Sequence, residues 1–360
     1  MKLKKYQNYL YLLFLKNFIT ISFIFFCIVI IINIFEEIRF AEKHNTDVYY
    51  IIYLSILNAP SLIFEIFPFI FLISVKFFYL ILKEKNELEI LNSNGISNIK
   101  IIFNLLLISI FLGLFIIIFY YSFSSSLKSK YLDIKNRFSN SNEYLAVVTD
   151  NGLWIKEEIN ENIFIIHAEK FHKNKLSSVS ITEVDKYYSR KNTINARYAN
   201  ISTKNWLLDD VDLIDHKGSS KNFKTFIHNS SFNGEIISNL FSNLNSMNIF
   251  ELHKLSNNYN KIGYSDTDVK IHLNKVYSMP IFYMLMTILG FVIINKLKYY
   301  KSKFFVTIFG IFVSVVVYYL NYFSGVLGTN GVLPIYLSVW SPLLILFLIC
   351  NIGILRVNEN

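Results

Sequence analysis

The stretch Phe67–Ser97, FPFIFLISVKFFYLILKEKNELEILNSNGIS, passes from an apolar block to a charged one within a few residues. The block it belongs to, Leu62–Leu82, carries Glu65 and Lys76 in an otherwise uncharged run of about 20 residues. A helix of that length crosses the ~30 Å hydrocarbon layer of a bilayer. Five more blocks of similar length follow the same rule: Phe14–Phe35, Ile101–Tyr121, Val276–Asn295, Phe304–Phe323 and Ile335–Leu355. Backbone groups in hydrocarbon must bond within the chain, so these blocks predict six transmembrane helices.

The composition agrees. Of 360 residues, 53% are hydrophobic, and 17% are charged where soluble domains average about 25%. This excludes a disordered chain and argues against an ordinary soluble enzyme. The 12 Gly and 5 Pro exclude a collagen-like or linker-rich chain. Cys27 and Cys350 both lie in apolar runs; they form no disulfide framework and read as small core hydrophobes.

Between the third and fourth blocks the character changes. Ser122–Lys275 holds 20 of the 35 basic and 17 of the 26 acidic residues, and is large enough for its own core. Ile194, Ala196 and Tyr198 alternate with polar residues, as do Trp206 and Leu208, then Val211 and Leu213, and the run Val179–Val184. Asp150-Asn151-Gly152, Lys217-Gly218-Ser219 and Asn233-Gly234 read as turns. The expectation is an antiparallel β domain, a sandwich or jelly roll. From Asn248 to Ser278 the pattern turns helical, with Asn248 and Ser265 or Asp266 as N-caps. The predicted organisation is therefore residues 1–121 with spans at 14–35, 62–82 and 101–121 and a helix in the loop 84–97, a β domain at 122–275, and residues 276–360 with spans at 276–295, 304–323 and 335–355.

Lys and Arg in the short loops predict the orientation. Lys2, Lys4, Lys5, Lys16, Lys83, Lys85, Lys100, Lys296, Lys298, Lys301, Lys303 and Arg356 fall on one side, and Arg39 and Lys43 on the other. Both termini are expected in the cytosol and the β domain outside. The net charge of +9 thus orients the chain and is no sign of nucleic acid. Met1–Lys5 resembles the start of a signal peptide, but the apolar run is too long and no Ala-x-Ala-like site follows.

Nothing points to catalysis. The seven His are scattered, and His167 and His172 share no Cys or carboxylate set with metal spacing. Neither Gly-x-Ser-x-Gly nor Gly-x-x-x-x-Gly-Lys-Ser/Thr occurs. No catalytic residue, metal or cofactor is expected, and no nucleotide chemistry through a phosphate-binding loop.

The loop Lys83–Ser97 is more informative. Asn86 can cap a short helix, Glu87 and Glu89 suit its first turn, Leu88, Ile90, Leu91 and Ile96 give an apolar side, and Gly95 offers the left-handed position that ends it. Two readings are open: an interfacial helix that turns the chain, or a knob for a partner's groove. Lys76, less than two turns from Lys83, is expected to snorkel to the cytosolic surface, and Glu65 to reach the outer interface. Asn33, Glu36, Glu37 and Arg39 gather where the first span exits, either as interfacial anchors or as a polar rim for an amphiphile with anionic groups. Tyr318, Asn321 and Tyr322 mark the outer half of the fifth span, where an Asn needs a partner or a cavity.

The order of three spans, a large β domain and three more spans resembles the lipopolysaccharide export permeases LptF and LptG, the YjgP/YjgQ family. The residues that carry the resemblance are Pro68, Asn86-Glu87-Leu88, Gly95-Ile96-Ser97 and the closing LPIYLSVWSPLLILFL, Leu333–Leu348. Gly152-Leu153-Trp154-Ile155-Lys156 looks more like LptG than LptF. The resemblance implies an ATP-driven transport subunit of the bacterial inner membrane that is not itself an enzyme. Its implied partners are an LptF-like permease, a dimer of the ATPase LptB, and LptC- and LptA-like bridge proteins. The facing first and fifth spans would enclose a cavity for lipopolysaccharide, lined here by Asn33, Glu36, Arg39, Tyr318, Asn321 and Tyr322. Lipid would then pass through a periplasmic jelly roll. The family's coupling-helix Glu falls on Glu87, beside Leu88, Ile90 and Leu91, with Gly95, Ile96 and Ser97 at the helix end. LptG-like proteins often carry a basic residue where this chain has Asn33; the nearest one here is Arg39. The alternatives are an LptF-type paralogue, or a membrane-anchored scaffold whose β domain only binds partners.

Overall fold

A computed structural model describes residues 5–44, 46–138, 153–159, 162–172, 174–185, 189–216, 218–230, 232–234, 237, 243–261, 265–296 and 303–358. The chain clusters into two units: Met1–Lys128 with Lys270–Asn360, and Ser129–Val269. Six helices among the described residues are long and apolar enough to cross a membrane.

The chain begins with α1 (Lys5–His44), α2 (Val48–Glu84) and the short α3 (Glu87–Ser93). Next come α4 (Asn98–Phe115), a π-helical turn (Ile116–Tyr121) and α5 (Ser122–Phe138), which run on without a break. After the strands come α6 (Ile249–Lys261), α7 (Thr267–Lys296), α8 (Lys303–Thr329) and α9 (Ile335–Asn358). The helices extend well beyond the apolar blocks; α1 has 40 residues and α2 has 37. Hydropathy marks only the part that would lie in hydrocarbon. The flanks, such as the Tyr49–Tyr53 turn of α2, are polar or aromatic but contain nothing that stops a helix.

Pro68, one of the residues that carry the resemblance, sits with Pro60 inside α2. A proline within a helix removes one donor and frees the carbonyl four residues back, which neighbours then satisfy. Pro342 in α9 shows how: it frees the Ser338 carbonyl, and Ser324 Oγ of α8 donates to that oxygen at 2.8 Å.

The spans are covered very unequally. In the most apolar window of each, 67% of α2 and 78% of α7 is buried, against 22% of α1 and 17% of α8. The core is aromatic. Phe71 of α2 stacks on Tyr283 of α7 at 4.8 Å, Phe18 of α1 lies 4.8 Å from Phe71, and Tyr79 meets Phe291 at 5.3 Å. Close backbone approach makes this possible. A Cβ on Gly290 would fall 2.8 Å from the Leu72 carbonyl oxygen, and one on Gly113 would fall 2.9 Å from Pro280 Cα. Ser109 and Thr287 hydroxyls join α4 to α7 at 3.0 Å.

In the second unit, β1 (Leu153–Ile159), β2 (Asn162–His172), β3 (Lys175–Val184), β4 (Arg190–Asn200), β5 (Asn205–Asp215) and β6 (Ser220–Asn229) form one antiparallel sheet in the order of the sequence. The antiparallel β insert is as the alternation predicted. Its nearest-neighbour order is a connectivity that alternation does not specify. The two short alternations at Trp206/Leu208 and Val211/Leu213 belong to a single strand. Asp210, at φ 58°, resets the phase so that Leu208 and Val211 are both buried. Ser178, at φ 51°, does the same on β3 between Leu176 and Val179. The turn at Gly218 is present, with φ 80° and its N–H bonded to Asp215 O at 2.9 Å; Asp150-Asn151-Gly152 lies outside the described residues. Asn248 caps α6 in a capping box: its Oδ1 accepts from Glu251 N at 3.0 Å, and its N–H donates to Glu251 Oε2 at 2.8 Å. Asp266 accepts from Ser256 and Asn260, which ties α6 to the start of α7.

Trp206 is fully buried and donates Nε1–H to the Phe232 carbonyl at 2.7 Å. His228 packs against it and against Phe164, with ring centroids 6.0 and 5.3 Å away. Burial holds the His228 pKa below its ordinary 6.5, although Glu157 and Glu183 pull the other way.

Two outcomes follow from this packing. Gly290→Ala forces α7 off the Leu72 carbonyl and should cost about 1–3 kcal/mol, seen as a lower Tm in detergent. Because His228 binds its proton less readily folded than unfolded, its contribution to stability is complete above pH 6.5 and is lost as pH falls towards its lowered pKa. His228→Phe should flatten the acid limb of a pH-dependent unfolding curve for the β unit.

Candidate functional site

The loop helix is shorter than the expected 84–97 because Asn86 turns the chain. Its backbone is left-handed, at φ 58°, and its side chain makes no cap bond, so the expected side-chain cap is absent. An Asn tolerates this conformation better than most residues. The other end is as expected. Gly95 has φ 78°, its N–H bonds Asn92 O at 3.0 Å, and the Ile96 N–H bonds Leu91 O at 3.0 Å, which is a Schellman closure. Ser97 then caps α4, its Oγ accepting from Lys100 N.

The apolar side chains of α3 do not share one face. Leu88 is buried and Leu91 and Ile96 are half-buried, while Ile90 is 57% exposed. Ile90 lies two residues from Leu88, about 200° around the helix, so it points away from the side that Leu88 buries. The carboxylate of Glu87 lies 3.9 Å from Lys85 Nζ and accepts a hydrogen bond from Tyr9 OH of α1. Tyr9 was not singled out from sequence, because nothing local links positions 78 residues apart. Its neighbours grip α4: Gln7 Nε2 and Tyr11 OH both donate to Asn104 Oδ1, each at 3.1 Å. Beside the end of α3, a cavity of about 400 Å³ is lined by Asn92, Gly95, Ser97, Phe291, Ile354 and Val357.

The polar residues at the other end of the spans fall into groups. On α1, Asn33 and Glu37 are buried, while Glu36 and Arg39 are exposed. Asn33 therefore faces the chain's own helices: its Oδ1 accepts from Asn58 Nδ2 of α2 at 3.3 Å. Asn58 Oδ1 in turn accepts from Lys128 Nζ of α5 at 2.6 Å. This brings a basic group within two hydrogen bonds of Asn33, a link invisible in sequence. On α8, Tyr318 is half-buried with its ring 5.7 Å from Phe69, and Tyr322 is exposed. Asn321 Oδ1 is buried without a hydrogen-bond partner among the described residues, beside a cavity of about 260 Å³ lined by Phe282, Ser324, Pro342 and Leu346.

Of the two intramembrane charges, Lys76 differs from expectation. Lys76 is buried, with its ammonium 5.2 Å from the Phe77 ring, so it does not snorkel to the surface. Glu65 is half-buried within electrostatic reach of Lys275 of α7. Lys275 lies across α8 where Gly325 leaves room; a Cβ there would fall 2.4 Å from its Nζ.

Six spans, a short helix between the second and third, and a β unit inserted between the third and fourth define a polytopic membrane protein with an inserted β domain. The chain belongs to the family described as lipopolysaccharide export system permease LptF/LptG, whose model matches residues 8–356. Membership makes it a multi-pass inner-membrane permease of lipopolysaccharide export. No curated protein matches the chain.

The Asn33–Asn58–Lys128 chain yields a testable consequence. Asn58→Leu removes both of its bonds and should lower stability by about 1–3 kcal/mol. Asn58→Asp, which still accepts from Lys128, should cost less. Thermal unfolding of the two variants in the same detergent decides this.

Proposed function

We propose that the chain is the LptG-type half of an ATP-driven exporter that draws lipopolysaccharide out of the inner membrane. The observation that carries this reading is the uneven covering of the spans. α2 and α7 are packed, whereas α1 and α8 leave broad apolar stripes exposed, including Ile19, Phe23 and Phe35 on one and Phe312, Tyr319 and Phe323 on the other. These are the first and fifth spans, the pair that in this family faces a partner permease. An LptF-like subunit across from them would complete a cavity between apolar walls. Glu36 and Arg39 on α1 and Tyr318, Asn321 and Tyr322 on α8 would meet the head group. Asn33 acts from behind, through Asn58 and Lys128. Gly152-Leu153-Trp154-Ile155-Lys156 supports the LptG type.

Energetics require a second component. Each CH₂ holds a lipid in the bilayer by ~0.8 kcal/mol, so a multi-chain lipid does not leave unaided. With no phosphate-binding loop in this chain, the work enters by mechanical contact with an LptB-like ATPase dimer docked on α3. Glu87 and the exposed Ile90 face that contact, Leu88 and Leu91 seat the helix, and Gly95, Ile96 and Ser97 fix its end. The Lys and Arg distribution supports cytosolic termini and a periplasmic β unit, which would pass lipid to LptC- and LptA-like proteins.

The test uses the full chain co-expressed with its sister permease and ATPase. Glu87→Arg with Ile90→Asp should release the ATPase from the purified complex while the permease still inserts. Retained ATPase and undiminished lipid export would overturn the α3 assignment. A photo-crosslinker at Arg39 or Tyr322 should capture lipopolysaccharide; capture of protein alone would favour the scaffold reading.

A further inference from the structure

We propose that Tyr9 is a positioning residue that couples α3 to α1, so that movement of the ATPase-facing helix is transmitted to the lipid-facing span. This rests on the reading of α3 as the ATPase contact.

α3 has seven residues, too few to be stable alone. It is held by the burial of Leu88 and by side-chain contacts to the rest of the chain. The Tyr9 hydroxyl donates to Glu87 Oε2, a charge-assisted bond from α1 to the first turn of α3. Around that point α1 is closely packed against its neighbours. Leu10 and Phe14 are fully buried, and Gln7 and Tyr11 both bond Asn104 of α4. The foot of α1 thus packs on α2 and α4 and is joined to α3 through the Glu87 carboxylate.

Beyond its foot, α1 is a continuous 40-residue helix, about 60 Å long at 1.5 Å per residue. It contains neither proline nor glycine, so a displacement at Tyr9 moves the span as a rod. The same helix carries the exposed stripe and, near its other end, Asn33, Glu36 and Arg39. A partner that draws Glu87 towards itself would therefore act on α1 directly through Tyr9.

Tyr9→Phe removes the hydroxyl and keeps the ring. It is tested in the whole complex with ATPase and sister permease, reconstituted in liposomes. ATP hydrolysis and lipopolysaccharide delivered to a soluble acceptor are measured together. We expect the ATPase to remain bound and the lipid delivered per ATP to fall about tenfold. para-Aminophenylalanine at position 9, which restores a donor at the same place, should recover the ratio. An unchanged ratio in Tyr9→Phe overturns the proposal, as does a fall that the amino analogue does not repair. Loss of the ATPase from the Tyr9→Phe complex also overturns it, because Tyr9 would then only build α3. A wild-type complex without ATP-dependent delivery overturns the functional reading itself, which separates the two failures.

Discussion

The membrane unit depends on the seam between α2 and α7. There the Gly290 backbone lies against the Leu72 carbonyl, and Phe71 stacks on Tyr283. In lipid, helices gain little from burying apolar side chains against each other, because hydrocarbon is an equally good solvent. Association rests on close packing, interhelical hydrogen bonds and the absence of voids. Small residues at Gly290 and Gly113 permit that closeness, and aromatic rings fill the space around it. Around it α1 packs on α2 at Phe18 and Phe71, α8 on α2 at Gly310 and Leu72, and α9 on α7 at Cys350 and Leu285.

That division gives the unit a fixed part and a part left for others. α1 and α8 bury about a fifth of their apolar windows, and their exposed Phe and Ile suit lipid or another permease. The abundance of Phe therefore has two uses. Phe14, Phe18, Phe71 and Phe78 make the chain's own core, while Phe23, Phe35, Phe312 and Phe323 stay outside it. Composition cannot separate the two, since it records how many rings there are and not which way they point.

The polar groups follow the same logic. An Asn or Lys in hydrocarbon needs a partner, and the structure supplies it from a different span: Asn33 to Asn58 to Lys128. At the other end, Asn104 collects Gln7 and Tyr11, and Glu87 collects Tyr9. The helix feet are thus held by hydrogen bonds in addition to buried apolar side chains such as Leu10, Leu82 and Ile101. The β unit also buries a paired carboxylate. Glu157, almost wholly inaccessible, accepts from Ser230 Oγ at 2.9 Å.

Much was legible in the sequence. The number of spans, the place of the β insert, the Gly95 helix stop and the Asn248 cap all follow from periodicity and from conformations that particular residues favour locally. The family was legible from short motifs in their order. What tertiary structure decided lies between distant residues. It made one strand of two alternations through Asp210, buried Lys76, turned Ile90 outward and Leu88 inward, and set Asn33 against Asn58. It also joined Tyr9 to Glu87. The physical reason is that hydropathy and propensity act along the chain, whereas a side chain's partner and facing depend on which helices pack together and at what distance. In a bilayer that choice is made by small residues and hydrogen bonds, whose signal in the sequence is only a few atoms wide.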